Sequence, residues 1–295
     1  TIDGGDTSLV TIQSSISVAN GSVITLDSAD FITFRNLKVN SVGVTYGSCF
    51  KLTNGANNVT IDSCALVMPN SATSAYHIGV LASGSTYSTY GNHANDMTVS
   101  NNVIRGGYYG IRINGTSTTV YCERNRILNN DISQYYYYGI YSYYQSQPEF
   151  IGNTITARTS GTFTTSSYGL YAFYAQGSFR IEDNVVHSIG SYAVYLSNGN
   201  GNNLGTGKII NNMIGSNFQT TGTSYGLYMT ACRDIDILHN SIYLGNSGGY
   251  VVYVVCNPPA TDSLRFVNNI FDAGGTFPGI GGRTFYAANP GAIQT

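Results

Sequence analysis

Two short residue patterns alternate along this 295-residue chain with a shared period of about 29 residues, and that period limits what it can fold into more than any single motif does. The first pattern is an apolar residue, two variable ones, usually Asn, one variable residue and a second apolar residue. It reads Phe34…Leu37…Val39, Ile61…Cys64…Leu66, Val99…Asn102…Ile104, Cys122…Asn125…Ile127, Phe150…Asn153…Ile155, Ile181…Asn184…Val186, Ile209…Asn212…Ile214, Ile237…Asn240…Ile242 and Phe266…Asn269…Phe271. The second is Tyr-Gly-(Ile/Leu)-Tyr and its relatives: Tyr109-Gly110-Ile111-Arg112, Tyr138-Gly139-Ile140-Tyr141, Tyr168-Gly169-Leu170-Tyr171, Tyr192-Ala193-Val194-Tyr195, Tyr225-Gly226-Leu227-Tyr228 and Tyr250-Val251-Val252-Tyr253. Degenerate earlier copies are Ser48-Cys49-Phe50-Lys51 and Tyr76-His77-Ile78-Gly79.

A unit this short, with two strand patterns and no room for a helix, cannot bury its apolar face alone, so successive units must stack as coils of a parallel β-solenoid. Nine to ten coils are expected. Equivalent residues of adjacent coils then sit about 4.8 Å apart, and each recurrent position becomes a column. Side-chain alternation sends Ile111, Ile140, Leu170, Val194, Leu227 and Val252 inward, and Arg112, Tyr141, Tyr171, Tyr195, Tyr228 and Tyr253 outward. Lys51 and Gly79 head the same outward column. By the same parity, the tyrosine that starts each strand, from Tyr76 to Tyr250, is expected to pack at an inward corner.

The Asn column at 102, 125, 153, 184, 212, 240 and 269 is expected to form a ladder, because an amide both donates and accepts and Asn tolerates unusual corner angles. Leu37 and Cys64 occupy the same position earlier, so the ladder should begin at Asn102. A further column, Tyr121, Glu149, Arg180, Lys208, Asp236 and Arg265, alternates in sign and predicts exposed ion pairs. Departures from the period place loops at Leu81–Asp96 and Ser197–Gly207. Residues 1–295 therefore read as one domain: an irregular first coil over 1–30, regular coils over 31–271 and a terminal coil or cap over 272–295.

Composition agrees with an all-β chain: 35 Gly and 25 Tyr but no Trp, and few of the charged residues that helices expose. A net charge of −2 provides no basic surface for nucleic acid, and no apolar run is long enough to span a membrane. The opening Thr1-Ile2-Asp3-Gly4 resembles neither an initiator nor a secretory signal, so a longer parent protein is expected. Cys49, Cys64, Cys122, Cys232 and Cys256 contain no CxxC pair and read as buried thiols.

The Asn-x-Ile and Tyr-Gly-Ile-Tyr units, over roughly residues 20–271, resemble right-handed parallel β-helix repeats of the pectate-lyase-like superfamily. The Asn-Asn-x-Ile turns, Tyr137-Tyr138-Gly139-Ile140-Tyr141 and Asn240-Ser241-Ile242-Tyr243-Leu244 are further similar to stretches of very large surface proteins of the Bacteroidota exported by the type IX system. The superfamily resemblance implies right-handed coils with three sheets. It also implies two possible lives: polysaccharide lyase or glycoside hydrolase, or a non-catalytic stalk or adhesive fibre.

Glycoside hydrolysis needs two carboxylates facing one cleft, about 5–10 Å apart, and lyases need a carboxylate-bound cation beside a catalytic base. The outward tyrosine column carries no acid, Asp234 and Asp236 are only a lone Asp-x-Asp, and His77, His93, His187 and His239 lack metal-ligand spacing. No catalytic residue, metal or cofactor is therefore expected. What remains is aromatic. Tyr141, Tyr171, Tyr195, Tyr228 and Tyr253, widened by Tyr143 and Phe173 and preceded by Arg112, form an outward stripe. It either stabilises its sheet through cross-strand pairs or stacks on sugars or a protein partner. The favoured reading is a structural or adhesive segment of a secreted, cell-surface protein. Its expected partners are a polysaccharide or another surface protein and the other domains of the parent chain; a polysaccharide-degrading enzyme is the alternative.

Overall fold

The structure, a computed structural model, describes residues 1–201, 204–215, 223–245, 249–255, 263–274, 283–288 and 293–294. Among these residues every regular element is a strand. The strands make three parallel sheets of 11, 10 and 11 members, and each successive strand of a sheet comes from the next coil. Sheet 1 contains Phe34, Ile61, Val99, Ile127, Phe150, Ile181, Ile209, Ile237 and Phe266 in one register; sheet 2 carries the apolar residues that follow the Asn corner; sheet 3 carries the tyrosine strands. Strands from Ile2–Asp3, Thr11–Ser14 and Ser22–Asp27 begin the three sheets.

The core is the prism enclosed by the sheets. Ile111, Ile140, Leu170, Val194, Leu227 and Val252 are at most 1% exposed, as alternation requires. Each such aliphatic side chain contributes roughly 1.5–3 kcal/mol on burial.

The corner between sheets 1 and 2 holds the Asn ladder. Asn153 Nδ2 donates to Asn184 Oδ1 at 3.0 Å and to the Ile127 carbonyl at 2.9 Å, while its own Oδ1 accepts from the backbone N–H and the Nδ2 of Asn130, both at 3.0 Å. The pattern repeats through Asn212 and Asn240 to Asn269, so both donors and both acceptor sites of each interior amide are used. The ladder starts at Asn102, whose Oδ1 accepts the Cys64 N–H at 2.8 Å.

Two details of this corner differ from the sequence reading. The rung after Asn102 is Asn130 and not Asn125, because Ile127 pairs with Val99 in sheet 1 and displaces the pattern by one corner. Asn125 serves the opposite corner, bonding the Ala94 carbonyl and Gln145. The left-handed backbone, moreover, sits one residue before each rung. Asn36, Ser63, Asn101, Asn129, Asp183, Asn211, His239 and Asn268 have φ between 51° and 56°. The ladder amides are thus chosen for hydrogen bonding, and the preceding residues for the turn.

The charged column is also shifted at its start: Arg126, not Tyr121, precedes Glu149, Arg180, Lys208, Asp236 and Arg265. Arg180 pairs with Glu149 at 3.5 Å and Arg265 with Asp236 at 2.8 Å, both at the surface. Cys49, Cys64, Cys122 and Cys232 are buried thiols; Cys256 lies outside the described residues.

Candidate functional site

Sheet 3 presents its outer face through strands such as Tyr138–Ser146, Tyr168–Gln176, Tyr192–Ser197, Tyr225–Thr230 and Tyr250–Val255. The outward column reads Lys51, Leu81, Arg112, Tyr141, Tyr171, Tyr195, Tyr228, Tyr253 and Tyr286. Leu81 stands where Gly79 was expected, because the Tyr76 copy pairs two residues out of the anticipated register: Ile78, not Tyr76, lies beside Tyr109.

The rings of this column stack face to face. Tyr141–Tyr171, Tyr171–Tyr195, Tyr195–Tyr228, Tyr228–Tyr253 and Tyr253–Tyr286 have centroids 5.0, 4.7, 4.9, 5.0 and 4.7 Å apart and planes within 17° of parallel. Tyr143 and Phe173 stack beside them at 4.7 Å, as the sequence placed them.

The strand-initial tyrosines are not an inward corner. Tyr109, Tyr138, Tyr168, Tyr192, Tyr225 and Tyr250 pair in register and form a second outward stack, with centroids 4.6–5.5 Å apart. The period of two fails here because two consecutive residues turn inward. Gly139 and Ile140 are both buried, so Tyr138 and Tyr141 leave the sheet on the same side and meet edge to face at 5.1 Å. The same edge contact recurs at Tyr168–Tyr171, Tyr192–Tyr195, Tyr225–Tyr228 and Tyr250–Tyr253. The sequence signal was present in the Tyr-x-x-Tyr spacing with a small second residue, which strict alternation overrode.

This double stack decides what the face can do. Ring faces are covered by the rings above and below, so the half-buried tyrosines offer edges and hydroxyls rather than open π-faces. Aromatic edges carry the positive side of the ring quadrupole, and the phenol donates as well as accepts. Burial disfavours the phenolate and raises the pKa of Tyr138, Tyr141, Tyr171, Tyr192, Tyr195, Tyr225 and Tyr228, and pushes that of Tyr168 up to about 12. These phenols therefore remain hydrogen-bond donors throughout the neutral range.

Arg112 caps one end of the stripe but is only 5% exposed. Its guanidinium lies 5.0, 4.8 and 4.6 Å from the ring centroids of Tyr87, Tyr109 and Tyr141, donates to Tyr109 Oη at 2.6 Å and to Asn114 Oδ1 at 3.0 Å. Tyr87 comes from the excursion that follows the His77–Ala82 strand, and Asn114 Nδ2 holds that excursion through the Tyr87 carbonyl at 2.9 Å. Arg112 thus fastens the loop over the sheet instead of standing open beside the tyrosines.

Carboxylates gather elsewhere. An open depression of about 390 Å³ near sheet 1 is lined by Asp96, Arg124, Arg126, Gln147, Glu149 and Ser178. Arg124 clamps Asp96 through two hydrogen bonds at 2.7 and 2.9 Å and holds its carboxyl below the usual range. A general acid requires the opposite shift.

Residues 23–224 match the family described as right handed beta helix region, and the chain belongs to that family. The coils are accordingly right-handed, in agreement with the superfamily resemblance. Among solved structures, the chain is similar to PfbA, a surface adhesin of Streptococcus pneumoniae, at 11% identity and a TM-score of 0.45, over 89% of this chain and 77% of that one. A second structure of the PfbA surface protein and adhesin gives 11% identity and a TM-score of 0.37, over 95% and 84%. The Dettilon tailspike protein gives 12% identity and a TM-score of 0.36, over 91% and 62%. No curated protein sequence matches the chain.

Proposed function

We propose that the chain is a rigid, non-catalytic segment of a secreted cell-surface protein whose tyrosine face holds a glycan or a protein partner. One observation carries this reading: two adjoining, unbroken tyrosine stacks run side by side over sheet 3, presenting parallel rows of ring edges and hydroxyls at a constant repeat. A row of this kind suits an extended partner lying along the rod, because each coil offers the same donor and apolar edge at the same height. Tyr141, Tyr143, Tyr171, Phe173, Tyr195, Tyr228 and Tyr253 make the contact surface; Arg112 braces its end against Tyr141. Asp96, Glu149 and Asp236 are paired with Arg124, Arg180 and Arg265, which favours a rod over a hydrolase or lyase that would use them.

The test is to screen the chain against arrays of polysaccharides and of surface proteins, then to assay every hit for new reducing ends or unsaturated products. Retention without cleavage supports the reading. Turnover of any hit refutes it.

A further inference from the structure

The tyrosine stacks also have a chemistry of their own that does not depend on the binding reading. We propose that they are sites of oxidative cross-linking, in which phenols of adjacent coils couple into dityrosine under a haem peroxidase and hydrogen peroxide and so staple one coil to the next.

Three observations carry this. First, neighbouring rings are held in register across each strand pair, with Tyr171–Tyr195 at 4.7 Å and 10° between planes and Tyr192–Tyr225 at 4.6 Å and 6°. Two radicals formed on such a pair have no need to find one another by diffusion, which is the advantage of fixed proximity over a bimolecular encounter. Second, the rings are partly exposed at the sheet surface, so an oxidant can reach their edges and water can accept their protons. Third, competing donors are few among the described residues: the chain has no Trp, and Cys49, Cys64, Cys122 and Cys232 are buried.

The balance is simple. Each phenol gives up one electron and its hydroxyl proton, and the two electrons and two protons reduce one peroxide to two waters. The two phenoxyl radicals tilt out of parallel and form a carbon–carbon bond between ortho positions. Each ortho hydrogen then transfers to its phenoxyl oxygen, restoring two phenols. The protein loses two hydrogen atoms per link.

The experiment treats the full chain, at low protein concentration, with a haem peroxidase and hydrogen peroxide. The expected product migrates as a monomer on a denaturing gel, shows dityrosine fluorescence and is lighter by two hydrogens per link. Its digest yields joined peptides carrying Tyr171–Tyr195, Tyr195–Tyr228 and Tyr138–Tyr168. Tyr195→Phe keeps the ring in the stack, and should delete the first two joined peptides while sparing the third. Three results overturn the proposal: no dityrosine at all, dityrosine confined to covalent dimers that increase with concentration, or links made mainly through Tyr243, which is 45% exposed on sheet 2.

Discussion

A Cβ atom placed on Gly139 would lie 2.5 Å from Cγ2 of Ile155, inside the prism. Ala193 and Val251 make the same inward turn in later coils, but around Gly139 the space is already filled, and its double inward turn with Ile140 sets Tyr138 and Tyr141 on one face. Gly139→Ala is therefore expected to destabilise the rod by about 1–3 kcal/mol through overpacking, since the carbonyl of Gly169 also closes the space at 2.7 Å. Thermal melting checks it. A neutral result would show that the corner has room.

Breaking the amide ladder in its middle should cost more. Asn153→Ala leaves one of the two Asn130 amide hydrogens and the Asn130 backbone N–H without an acceptor, and the Ile127 carbonyl without the Asn153 donor, inside a buried corner. With each orphaned group costing about 1–3 kcal/mol, a loss of several kcal/mol is expected in urea denaturation. The same change at Asn269, a half-buried end of the ladder, is expected to cost clearly less.

Arg112→Met should release the excursion over residues 83–97. The substitution keeps the bulk but removes the cation between three rings and its bonds to Tyr109 and Asn114, together about 2–4 kcal/mol for a desolvated site. Limited proteolysis is expected to cut the variant inside this segment well before the parent. Equal cutting times would show that the loop is held by its backbone contacts alone.

The stacked phenols make the fold sensitive to alkali. Burial raises their pKa in the folded state, to about 12 for Tyr168, above the unfolded value of about 10. Below that unfolded value both states are protonated and the contribution is intact. As pH climbs past it the unfolded chain sheds protons first, so stability falls until the folded phenols ionise too. Spectroscopic titration should show tyrosinate appearing together with loss of β-structure. A simple titration near the ordinary tyrosine range, with the fold intact, would contradict this.

Much of this architecture is legible in the sequence because a solenoid repeats each physical demand once per coil. The buried file from Ile111 to Val252 and the ladder from Asn153 to Asn269 follow from recurrence alone. What escaped has equally local causes. Asn130 was hidden because Cys122…Asn125…Ile127 imitates the pattern one corner away. The second tyrosine stack was hidden because alternation assumes one residue per face, and Gly139 with Ile140 breaks that rule. The burial of Arg112 depends on Tyr87, which a loop delivers from the preceding coil and which no periodicity announces.

On the proposed function, the row of phenol hydroxyls, rather than the bulk of the rings, makes sheet 3 a binding face. The most direct measurement compares the parent with the triple variant Tyr171→Phe, Tyr195→Phe, Tyr228→Phe against a glycan or protein selected from the arrays, with melting temperature recorded in parallel. Stacking survives these changes, so the melting temperature is expected to stay close to the parent while affinity falls at least about tenfold, equivalent to about 1.4 kcal/mol. Unchanged affinity in a folded variant would contradict the claim and leave the tyrosines as packing alone.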